Sequence, residues 1–211
     1  MWLPAGVGKD VSRTSFSVTY DYRCPFARNV HEHLVVALRG GAPWEVEFAP
    51  FSLTQAHVDE GGASVWDDPA KAPDLLAVEA GLVVRDSFPD HFFAVHLGLF
   101  TARHDNGLDL RDESVIRDVL GSAGVDADEV LATVADGGPR HTFRKEHEAA
   151  VTNFHVFGVP TFIVGDHAAF VRVMTRPGDD AATARSTIDS VVALFDAHPE
   201  LNEFKHTSIS R

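Results

Sequence analysis

Tyr20-Asp21-Tyr22-Arg23-Cys24-Pro25-Phe26-Ala27 joins an apolar, β-branched stretch to a helical pattern, and how that junction is read decides the fold. Upstream, Phe16-Ser17-Val18-Thr19-Tyr20 alternates apolar and polar residues as a strand does. Downstream, Phe26, Val30, Leu34 and Leu38 recur at spacings of four and draw one apolar helical stripe. Pro25 suits the first turn, where its fixed φ fits and its missing N–H has no partner to lose. Gly40-Gly41 suits the C-terminal cap, so a helix is predicted over 25–39. Trp44, Val46 and Phe48 alternate with Glu45 and Glu47 as a second strand, which Pro50 closes. A helix-length crossover makes the two strands parallel members of one sheet.

Cys24 is the one cysteine of the chain. At a strand-to-helix junction its sulfur lies beside a helix N-terminus, where unpaired N–H groups and the helix dipole stabilise an anion. A reactive thiol of lowered pKa is the expectation, with Asp21 opposing the shift and Arg23 and Arg28 assisting it. The plainer alternative is a small, inert core residue, which most free cysteines are.

With 211 residues and 45% hydrophobic content the chain can bury a substantial core. Against 31 Asp and Glu stand 18 Lys and Arg, a formal charge of −13 that repels phosphate backbones and anionic lipid. Nucleic acid and membrane are therefore not expected as partners. One cysteine forms no internal disulfide, and Met1-Trp2-Leu3-Pro4-Ala5-Gly6-Val7-Gly8 has neither the basic nor the long apolar part of a secretory leader. A cytoplasmic location is the expectation. No apolar run reaches the length of a membrane span.

From about 61 to 153 the pattern is helical almost throughout, broken at positions that include Pro69, Pro73, Gly81, Pro89 and Gly137-Gly138. Asp112 and Asp126 stand where helices begin, and acids in first turns complement the dipole. Strand chemistry returns at Pro160-Thr161-Phe162-Ile163-Val164, turns at Gly165-Asp166 and resumes over 168–173, which reads as an antiparallel hairpin. Asp179-Asp180 then caps a last helix with Ile188, Val191 and Val192 on its apolar face.

The order β-α-β, helical block, β-β-α is similar to a thioredoxin fold carrying a helical insertion, the arrangement of the DsbA-like thiol-disulfide oxidoreductases. Two motifs carry the resemblance: Asp21-Tyr22-Arg23-Cys24-Pro25-Phe26-Ala27 resembles the family's active-site segment, and Phe157-Gly158-Val159-Pro160-Thr161-Phe162-Ile163 its Gly-Val-Pro-Thr-Phe segment with a cis proline. The fold class is thus α/β, thioredoxin-like with an inserted all-helical domain. The expected division is 1–60 and 154–211 for the thioredoxin-like domain and 61–153 for the insertion. The resemblance implies Cys24 as catalytic nucleophile. It implies Pro25, Phe26, Val159, Pro160 and Thr161 around the substrate, held as an added strand against the backbone before Pro160.

Family members commonly have Cys-x-x-Cys, and position 27 here is Ala. No second thiol can resolve a disulfide between Cys24 and a substrate, so monothiol chemistry is what the resemblance leaves. Cys24 would attack a disulfide or other electrophile, and glutathione or mycothiol would release the product; no bound cofactor is expected, and no oligomeric state is assigned. The alternative resembles kappa-class glutathione transferases and chromene-carboxylate isomerases, thiol-dependent enzymes that typically place Ser before the proline and activate the cosubstrate's sulfur. A redox-inactive binding protein is the third possibility. Of the twelve histidines, His31 and His33 point to different sides of a helix, and no spacing forms a metal site. His155, just upstream of Pro160, is a further substrate-binding candidate that could face the Cys24 cleft as a proton donor or thiolate partner, or close a helix C-terminus.

Overall fold

The computed structural model describes residues 14–59, 61–203 and 205–206. Met1–Gly8, on which the reading of the leader rests, lie outside them, as do the outer ends of the expected thioredoxin-like domain.

The first three elements are β1 (Thr14–Tyr20), α1 (Pro25–Arg39) and β2 (Trp44–Pro50), in that order along the chain. β1 and β2 pair in parallel, Val18 opposite Phe48 and Tyr20 opposite Pro50. α1 ends as its sequence requires: the Gly40 N–H bonds back to Val36, and Gly41 takes the left-handed φ of +84°. A four-residue helix α2 (Leu53–Ala56) follows, capped by the Ser52 side chain.

Five helices then intervene before the sheet resumes: α3 (Ala72–Ser87), α4 (Pro89–His104), α5 (Glu113–Ser122), α6 (Ala127–Ala135) and α7 (Gly138–Phe154). Residues 61–68 form turns rather than the helix expected there, and a 3₁₀ turn at Pro69–Lys71 leads into α3. The prolines read as breaks are starts, since Pro73 and Pro89 occupy the first turns of α3 and α4. Asp112 and Asp126 cap α5 and α6 through N–H groups of the first turn.

Gly81 does not break α3 but lies within it. A Cβ there would stand 2.5 Å from Tyr22 Oη, so glycine is what lets α3 press against the segment preceding Cys24. Arg85 forks onto Glu146, and Arg140 pairs with the buried Glu79, fastening α3 to α7. Arg85 also donates to the Phe48 carbonyl, reaching from the helices to β2.

The sheet resumes with β3 (Thr161–Val164) and β4 (His167–Phe170), an antiparallel hairpin whose second strand ends three residues earlier than the sequence suggests. The order β2-β1-β3-β4 makes β1 central, with β3 antiparallel to it. α8 (Ala181–Ala197), capped by Asp180, packs on α1, while α4 touches α1 from the helical block. The core is continuous from Val18, Phe48 and Phe162 in the sheet to Leu82, Leu99 and Ile116 in the helices. Among the described residues no helix is long and apolar enough to cross a membrane.

Candidate active site

Cys24 is the N-cap of α1, with φ −92° and ψ 118°. Its sulfur accepts from the Ala27 N–H at 3.5 Å and donates to the Val159 carbonyl at 3.3 Å. The Val159–Pro160 bond is cis. Cys24 and Pro160, widely separated in sequence, therefore meet as the two motifs require. Pro25 is exposed, Phe26 half-buried, and Val159 and Pro160 buried. The Val159 N–H has no partner among the described residues, so one backbone donor remains at the edge beside the thiol.

The thiol pKa departs from the sequence expectation. It lies above the ordinary thiol range, because burial of the thiol in a residue only 8% exposed outweighs the lowering by the Ala27 and Phe26 N–H groups. Donation to the Val159 carbonyl acts the same way, since that bond exists only while sulfur keeps its proton. The two arginines expected to help are engaged elsewhere. Arg23 grips Asp21 with Nε and Nη2, and Arg28 pairs with Asp105 at 2.8 Å. The cation that does favour the thiolate is Arg172, which lies 5.2 Å over the Phe26 ring and has no ion pair among the described residues. Geometry puts Arg172 at the rim of the site.

Asp21 is a buried brace. Its carboxylate accepts from the Arg23 backbone and side chain and from the Leu53 N–H, fixing the turn before Cys24 to the start of α2. Thr161 is also committed inward, its N–H donating to Thr19 Oγ1 and its hydroxyl to the Gly158 carbonyl. These bonds hold the loop around Pro160. His155 is exposed, closes α7 with left-handed φ 54°, and makes no hydrogen bond to Cys24. Its place is that of a helix C-cap.

The histidines that matter to the turn are others. Thr19 O can only accept, so His31 Nε2, 3.3 Å away, carries the proton. His31 Nδ1 must then accept from His96 Nε2 at 2.9 Å, and His96 Nδ1 from Tyr22 Oη at 2.9 Å. Every member is neutral and points one way. Burial agrees, holding His31 down to about 3 and His96 well below the usual range. Farther along α4, His104 Nε2 donates to the Tyr22 carbonyl at 2.9 Å. α4 therefore holds Tyr22, two residues before the thiol, by both its hydroxyl and its backbone. No sequence spacing signals this contact, which joins positions 74 apart.

Among the described residues no group of three His, Cys, Asp or Glu is placed to hold a metal ion. A cavity of about 260 Å³ opens beside the turn, bounded by Asp21, Arg23, Arg103 and Arg111.

Comparison with known proteins places this geometry in a class. A family model described as the DSBA-like thioredoxin domain matches residues 93–187, from α4 to α8, a span that includes Pro160 but not Cys24. Among solved structures, 2-hydroxychromene-2-carboxylate isomerase has a TM-score of 0.61 at 16% identity, covering 88% of this chain and 98% of that one. Pseudomonas aeruginosa DsbA has a TM-score of 0.56 at 20% identity, covering 94% and 90%. The cytosolic disulfide reductase DsbM from Pseudomonas aeruginosa, with GSH, has 0.58 at 12% identity, covering 85% and 100%. No curated protein matches the sequence. The fold is the DsbA-like thioredoxin fold. Over residues 93–187 the sequence is similar to the DSBA-like thioredoxin domain, and the chain carries one cysteine.

Proposed function

We propose that the protein is a monothiol DsbA-like oxidoreductase or thiol transferase with Cys24 as its nucleophile. The observation that carries this reading is the sulfur at the N-cap of α1, hydrogen-bonded to the residue before the cis proline, with Ala27 where a second thiol would stand. In the resting protein the thiol is held protonated. An extended substrate that pairs with the Val159 backbone would donate an N–H to the carbonyl that Cys24 now occupies, and the unpaired Val159 N–H would donate in return. Freed from that acceptor, the sulfur loses its proton to solvent and attacks a substrate disulfide. Cys24–S–S–R forms as R′–S⁻ leaves. An outside thiolate then attacks the sulfur of R, forming a new disulfide and returning Cys24 as thiolate, so electrons and protons balance without a second cysteine.

Glutathione or mycothiol is the proposed outside thiol, and a structural neighbour described with GSH supports that class of partner. The cytosolic description of that neighbour likewise supports a cytoplasmic setting for this chain. The assay is turnover of a glutathionylated peptide by excess glutathione. Wild type should accelerate it and Cys24→Ser should not; equal rates would remove Cys24 from the chemistry.

One observation favours a second reading. A thiol pushed up by burial is a poor resting nucleophile, and the chromene-carboxylate isomerase shares the fold. In that reading the protein activates the sulfur of a bound glutathione, and Cys24 supplies a hydrogen bond. Tight non-covalent binding of glutathione without a mixed disulfide would mark it.

A further inference from the structure

The cavity of about 260 Å³ lies between the Cys24 turn and the facing ends of α3 and α4. Its floor is apolar and buried, formed by Ala77, Val78 and Leu110. Its rim is charged, and each acid there already has a cation. Asp21 is held by Arg23, Asp109 takes three bonds from the Arg111 guanidinium at 2.7 to 3.1 Å, and Asp74 stands 4.0 Å from Lys71. Arg103 is different. It is an exposed residue that lines the cavity and makes no hydrogen bond or ion pair among the described residues, though its charge reaches Asp109, in a chain with 31 acids to 18 bases.

An unpaired guanidinium over an apolar floor matches a ligand with a carboxylate at one end and a compact apolar body. The planar fork donates two parallel bonds to a carboxylate, and each acid around it has another cation within 4.0 Å. The volume falls just below the roughly 300–1,000 Å³ of sites for drug-sized molecules, which sets the size of that body. We propose that this cavity is a carboxylate-binding subsite beside the turn that precedes Cys24, with Arg103 gripping the carboxylate and Ala77, Val78 and Leu110 receiving the apolar part. The carboxylate comes either from the thiol cosubstrate or from the electrophile it meets. The ligand's part in catalysis rests on the monothiol reading; its binding does not.

NMR titration of the full chain with benzoate and with benzamide tests the subsite. Benzoate should shift the amides of Ala77 and Leu110, and benzamide should bind at least about tenfold more weakly, the loss of one charge-assisted contact. Arg103→Gln should reduce benzoate to the level of benzamide with the rest of the spectrum unchanged, and Arg103→Lys should keep part of the affinity. If glutathione shifts the same amides and competes with benzoate, the carboxylate belongs to the thiol; if both bind together, it belongs to the electrophile. Equal affinity for the two probes, no shifts at all, or undiminished benzoate binding by Arg103→Gln would overturn the proposal. The same titration on Cys24→Ser separates the claims: benzoate binding there stands even if wild-type Cys24 proves inert.

Discussion

The Cys24 thiol donates to the Val159 carbonyl at 3.3 Å, joining positions 135 apart and closing the site from its own two halves. The bond keeps sulfur protonated and occupies the backbone acceptor that an added strand would use. Cys24 should therefore titrate above the ordinary thiol range. The rate of alkylation followed against pH reads this directly, and an inflection at or below that of a free cysteine would contradict it.

Arg172 is the cation left to favour the thiolate, lying over Phe26 at the open side of the site. Arg172→Gln should move the thiol's titration further up and slow alkylation severalfold at neutral pH. The effect should shrink as salt is added, because the guanidinium is exposed and its field is screened. No change at low ionic strength would remove Arg172 from the site.

The chain Tyr22–His96–His31–Thr19 is buried and complete. His96→Phe leaves the Tyr22 hydroxyl and His31 Nδ1 without partners, at about 1–3 kcal/mol for each orphaned group. Urea denaturation should show a loss of at least about 2 kcal/mol, and a near-neutral substitution would mean the chain is not formed.

Gly81→Ala places a Cβ 2.5 Å from Tyr22 Oη. Tyr22 is fully buried and cannot retreat, so overpacking should cost about 1–3 kcal/mol, where alanine in an exposed helix would have stabilised. An unchanged urea midpoint would show that α3 does not press on the turn as described.

Stability should also depend on pH through the buried histidines. Burial lowers His31 to about 3 and His147 to about 4, while both titrate near 6.5 in the unfolded chain. Below 6.5 the unfolded chain gains protons that the native one refuses. Their contribution is full above 6.5 and is lost as pH falls toward 4 for His147 and 3 for His31. Each can steepen the fall by up to roughly 1.4 kcal/mol per pH unit. Flat stability between pH 6.5 and about 4.5 would show that these side chains are charged or exposed in the native protein.

Much of the frame was legible because its signals are local. Alternation at Phe16–Tyr20, the stripe from Phe26 to Leu38 and the Gly40-Gly41 stop each depend on neighbours in sequence, and each element formed where those residues place it. The pairing of Cys24 with Val159-Pro160 was legible through two short motifs. What could not be read depends on contacts between distant segments. Gly81 resembles a helix breaker until Tyr22 is seen against it, and no neighbour of His96 in sequence announces that Tyr22 and His31 take both its nitrogens. The direction of the Cys24 shift was hidden for the same reason. A helix N-terminus is visible in sequence, but the burial that outweighs it is made by the whole fold.

The central claim is that Cys24 starts a reaction which an outside thiol must finish, and intact-mass analysis after exposure to glutathione disulfide tests it most directly. The predicted result is one glutathione joined to wild-type protein, stable until free thiol is added in excess, and none on Cys24→Ser. Wild-type protein that stays unmodified while binding glutathione non-covalently would contradict it.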